Sequence, residues 1–108
     1  MNVEKVILFQ IYINSSYGDN EFSLSEFSEK FINEEIKNSF SYSISKLKFA
    51  NAVEKLEKNE ILKKSSRHHL TTLNSWRLTE KCKKFFGIIS KKKVNDFEGF
   101  KSEFNLWK

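Results

Sequence analysis

At 108 residues, with 39% hydrophobic content, eleven Phe, three Tyr and two Trp, the chain is long and apolar enough for one domain around an aromatic core, which excludes disorder. A net charge of +5 and a pI near 9.3 fit a nucleic-acid partner, and no run approaches the ~18 apolar residues that cross a bilayer. The lone Cys82 excludes an internal disulfide; with no signal-peptide pattern at the start, the expected compartment is reducing and cytoplasmic, nucleoid-associated if the chain binds DNA.

Apolar spacing over Asn2 to Ile13 (Val3, Val6, Ile7, Ile11, widened by Leu8, Phe9, Tyr12) predicts a first helix with little polar face, either deeply buried or shared with a second copy. Gly18-Asp19-Asn20 has turn composition. Ser23 followed by Glu26 has the spacing of a capping box, and Phe22 with Phe27 that of a hydrophobic staple. They predict a second helix with Leu24, Phe27 and Phe31 on one face, fading near Asn33. Residues 33–41 read either as a loop or as a further helical turn carrying Ile36 and Phe40 into the core.

A third helix is expected from Ser43 to Lys58, with Phe49, Ala52, Val53 and Leu56 as its core stripe. Its other face carries Ile44, Leu47, Lys48, Asn51, Lys55 and Lys58. Ile44 and Leu47 do not suit a solvated face, so either the helix starts later or an apolar patch there has its own partner. Ile61–Lys64 and Ser75–Leu78 are candidate strands bracketing a polar tip, 65–74, that holds Arg67, His68 and His69. Thr79 is the expected N-cap of a fourth helix, Glu80 to Ile89, with Phe85, Phe86 and Ile89 inward and Gly87 inside it. Val94, Phe97, Phe100, Phe104 and Trp107 predict a last amphipathic helix. The fold class expected is mainly α with a small β-hairpin, α+β.

Chemistry is sparse. His68 and His69 are adjacent rather than one helical turn apart, with no Cys or carboxylate cluster nearby, so no metal is expected. Cys82 lies between Lys81 and Lys83 without a base or an orienting partner, and Glu34-Glu35 and Asp96 with Glu98 carry no mark of a catalytic pair. Neither an enzyme nor a cofactor is expected. Among 19 basic residues only Arg67 and Arg77 are arginine. Lysine serves phosphate as a point charge, whereas bidentate reading of guanine favours arginine.

Two stretches carry a resemblance to a known family. Ala52-Val53-Glu54-Lys55-Leu56-Glu57-Lys58-Asn59-Glu60-Ile61-Leu62-Lys63-Lys64 looks like a recognition helix running into a first wing strand. Trp76-Arg77-Leu78-Thr79-Glu80-Lys81-Cys82-Lys83-Lys84-Phe85-Phe86 looks like a second wing strand entering the last helix. Together they resemble winged-helix (winged helix-turn-helix) DNA-binding transcriptional regulators over roughly 3–89. Asn59 or Glu60 stands where that family usually has glycine, and Cys82 where it often does.

The resemblance implies a winged-helix domain over 1–89 and an extra helix over 90–108, packed on the domain or forming a dimer contact. It implies that Ser45, Lys46, Lys48, Asn51 and Lys55 face double-stranded DNA, with Arg67, His68 and His69 reaching an adjacent minor groove or phosphates. Asn51 has the chemistry to pair adenine N6 and N7, a contact worth about 1–3 kcal/mol of discrimination. Leu8, Phe9, Tyr12, Phe100, Phe104, Leu106 and Trp107 form either a homodimer surface or an internal contact within one chain. A dimer would set two recognition helices about 34 Å apart on an inverted repeat.

The rival expectation is a winged-helix-like protein-interaction module, an inhibitor or adaptor of a nucleic-acid machine of phage, viral or plasmid type. Ile44, Leu47, the scarcity of arginine and the aromatic tail motivate it. Nonspecific architectural DNA binding is a third reading, marked by steep salt dependence. No membrane partner is expected.

Overall fold

The computed structural model of the chain describes residues 2–15, 17–18, 21–22, 26–41, 43–64 and 75–107. Helix α1 (Val3–Asn14) starts at Asn2, whose side-chain oxygen accepts from the Lys5 amide at 3.0 Å. Every residue from Val6 to Tyr12 is buried, so the near-absence of a polar face in the sequence corresponds to a helix enclosed on all sides. It packs against α2 (Glu29–Phe40), α3 (Lys46–Lys58) and α5 (Phe97–Trp107).

Strands β1 (Tyr17–Gly18) and β2 (Glu21–Phe22) form a minimal antiparallel pair. The second sheet has three antiparallel strands, β3 (Glu26–Ser28), β4 (Leu62–Lys64) and β5 (Ser75–Leu78), in the order β3-β5-β4. The predicted wing strands are therefore present, and a third strand lies on their far edge. Helix α4 (Glu80–Lys91) follows β5 directly, capped by Thr79, whose hydroxyl accepts from the Cys82 amide at 3.2 Å. The arrangement is mainly helical with a small antiparallel sheet, α+β and winged-helix-like, with α5 as an added C-terminal helix.

The second helix is a correction. It was expected to start at Ser23 and fade near Asn33, but Glu26–Ser28 is strand and α2 runs to Phe40. Phe27 faces Trp76 across the β3–β5 ladder, and the two rings stack with centroids 6.0 Å apart. That cross-strand partner outweighs the local capping signal. Ser28 takes over as N-cap, accepting from the Phe31 amide at 3.3 Å, and Ile32 and Ile36 make the inward stripe. Phe31, expected inside, is 37% exposed. Ser23 and Leu24 lie outside the described residues, as do Asp19 and Asn20.

The core is aromatic at two places. Trp76 lies against Phe27 and Phe49 on the sheet side. On the other side Phe100 meets Phe9, Tyr12, Phe85 and Phe86, while Trp107 stacks on Phe85 at 4.2 Å with planes 9° apart. The Tyr12 hydroxyl donates to the Val94 carbonyl at 2.7 Å, tying α1 to the segment before α5. These contacts are the internal alternative of the two expected for the aromatic faces of α1 and α5. Leu8, Phe9, Tyr12, Phe100 and Phe104 are all buried inside the chain and Trp107 is half-buried.

A candidate nucleic-acid interface on α3

Ser45 starts α3 by accepting from the Lys48 amide at 3.2 Å. The helix thus begins later than Ser43, and Ile44, just before the cap, is 7% exposed and part of the core. This settles half of the anomaly on the outward face: Ile44 is an anchor, while Leu47 remains 71% exposed. Phe49, Ala52, Val53 and Leu56 are buried as the spacing required.

The C-terminal end of α3 is locked. Glu60 has φ 60°, the Ile61 amide donates to the Leu56 carbonyl at 2.9 Å, and the Glu60 amide donates to the Glu57 carbonyl at 3.0 Å. This is a Schellman motif with Ile61 and Leu56 as its apolar pair. Glu60, not Asn59, therefore occupies the left-handed position where glycine is usual. The Thr79 hydroxyl donates to the Glu60 and Ile61 carbonyls at 2.7 and 3.0 Å, and Trp76 Nε1 donates to Glu57 at 2.8 Å. The Trp76 bond ties β5 to α3, and the Thr79 bonds tie the end of β5 to the turn between α3 and β4.

Lys46, Lys48, Asn51 and Lys55 are all exposed, on one helix. Ser45 is exposed too, with its hydroxyl engaged as the cap. At about 100° per residue, Leu47, Asn51, Glu54 and Lys58 lie opposite the core stripe, with Lys48 and Lys55 on one flank and Lys46 on the other. Glu54 and Lys58 pair at 3.6 Å.

Between α3 and the first turn of α1 lies a shallow groove of about 280 Å³, with Lys48, Asn51 and Lys55 on one wall and Asn2, Val3 and Glu4 on the other. Lys55 Nζ sits 3.6 Å from the Glu4 carboxylate, whose side chain is only 15% exposed. Sequence reading missed Glu4, because nothing local relates two residues so far apart in the chain.

The first turns of the helices differ in charge. α1, α2, α4 and α5 each place a glutamate there (Glu4, Glu29, Glu80, Glu98), whereas α3 has no acid and carries Lys46 and Lys48. A helix N-terminus bears partial positive charge, so lysines there oppose helix stability and reinforce attraction for an anion.

Arg67, His68 and His69 lie outside the described residues. Among the described residues no group of three His, Cys, Asp or Glu could hold a metal, and no helix is long and apolar enough to cross a membrane. Cys82 is fully buried, and that burial pushes its thiol well above the usual range. Comparison with protein-family models, curated proteins and solved structures finds no match.

Proposed function

We propose that this chain is a small winged-helix transcriptional regulator that binds duplex DNA by inserting α3 into the major groove. The observation that carries this reading is the basic first turn of α3, Lys46 and Lys48, on the one helix whose outward face also offers Asn51. A recognition helix uses its N-terminal residues on base edges. The lysines supply the salt-sensitive phosphate attraction, and Asn51 supplies bidentate pairing with adenine. Binding and occupancy of an operator need no chemical step.

The test is selection from a random-duplex pool at about 150 mM salt, where unspecific phosphate attraction is weakened. An enriched inverted repeat supports a sequence-specific regulator that binds as two copies. Exposed apolar residues available to such a contact include Ile88 and Leu106, with the half-buried Trp107 next to Leu106 in the chain. Binding without enrichment moves the reading to architectural DNA binding.

A second reading, a module that binds a protein of a nucleic-acid machine, draws on Leu106, which is 82% exposed at the end of α5. A stoichiometric protein partner that survives nuclease treatment, together with no duplex binding, would favour it.

A further inference from the structure

Leu47 is an exposed leucine in the first turn of α3, between Lys46 and Lys48. A single exposed leucine is ordinary on a protein surface, so exposure alone carries nothing. Position carries the argument. With Ile44 withdrawn into the core, the exposed neighbours of Leu47 on the outward side of α3 are the small Ala50 and the polar Asn51, with Glu54 and Lys58 further along the crest. A protein-docking patch needs contiguous apolar area of a few hundred Å², and one leucine beside one alanine falls well short of it. What fits an isolated apolar group framed by cations is an isolated apolar group framed by phosphates.

The major groove of DNA offers one such group, the 5-methyl of thymine. Leu47 precedes Asn51 by one turn, and the two lie about 40° apart around the helix and about 6 Å apart along it. Successive base pairs are about 3.4 Å apart, so the two side chains span pairs one or two steps apart.

We infer that Leu47 is a specificity-determining residue that packs on a thymine methyl group, while Asn51 reads adenine one or two base pairs away, so that the half-site carries neighbouring A·T pairs. This rests on α3 being the DNA-reading helix. It also accounts for a basic protein poor in arginine: a lysine, leucine and asparagine surface reads A·T pairs and has little with which to read guanine.

The experiment uses the full chain and the duplexes it enriches from the random pool. Each thymine is replaced in turn by deoxyuridine, which removes only the methyl group, and affinity is measured for the wild type and for Leu47→Ala. Leu47 is solvent-exposed and alanine favours helix, so the variant folds. The expected result is one thymine whose replacement weakens wild-type binding about fourfold, the value of one buried methyl, and does not affect Leu47→Ala. Equal losses in both proteins, no sensitive thymine, or binding without enrichment overturns the role of Leu47 and leaves DNA binding standing. If no duplex binds, the DNA reading itself falls and this inference with it.

Discussion

Helices α1 and α3 pack against each other and are similar in length, yet they treat water in opposite ways. α1 is buried from Val6 to Tyr12, including Gln10 at 1% exposure, and begins with a glutamate that suits its dipole. α3 buries one stripe and keeps Lys46, Leu47, Lys48, Asn51 and Lys55 outside, with lysines where its dipole would prefer acids. A helix whose surface is spent on packing is scaffold. One that keeps lysines and Asn51 outside presents the face on which the proposed function rests.

The contrast can be broken first on the scaffold side. Phe100 is fully buried and its ring meets Phe9 and Tyr12 of α1. Phe100→Ala is expected to lower unfolding free energy by about 3–5 kcal/mol in a urea titration, the usual cost of deleting a core aromatic ring. A loss below ~1 kcal/mol would mean that α5 is not part of the core.

Next comes the cap. Ser45→Ala should cost about 1 kcal/mol by removing the acceptor for the Lys48 amide, and calorimetry would register it as a lower Tm. Of similar size but opposite sign is Glu60→Gly. It relieves the left-handed strain at φ 60° and keeps the backbone carbonyl that Thr79 uses, so a gain of about 1 kcal/mol is expected. Gly87→Ala sharpens the comparison from α4. A Cβ there meets nothing within 4 Å, and the variant should gain about 0.5–1 kcal/mol. A smaller, qualitative check is Cys82. Burial and its raised thiol predict no reaction with an alkylating reagent near neutral pH until denaturant opens α4.

Much of this was legible locally. α1, α4 with its Thr79 cap, both wing strands and the α3 core stripe all follow from spacing and capping chemistry over a few residues. What failed was non-local. Glu26–Ser28 becomes strand only because β5 arrives beside it from nearly fifty residues later in the chain, and no periodicity within 23–33 carries that information. The aromatic faces of α1 and α5 were equally consistent with a dimer or an internal contact, and the pairing of Phe9 and Tyr12 with Phe100 within the chain links residues too far apart in sequence for any local pattern to reveal. On the candidate site, the lysines and Asn51 were readable as an outward face. That Ile44 anchors while Leu47 projects depended on where Ser45 caps the helix.

The central claim is that the outward face of α3 binds duplex DNA. Its most direct test is a titration of a labelled duplex from the enriched pool with wild type and with Lys48→Glu combined with Asn51→Ala, Tm measured alongside. Losing an adenine contact and reversing a phosphate contact should weaken binding by about two orders of magnitude, while the acid in the first turn leaves Tm unchanged or slightly higher. Unchanged affinity in a folded double variant would contradict the account.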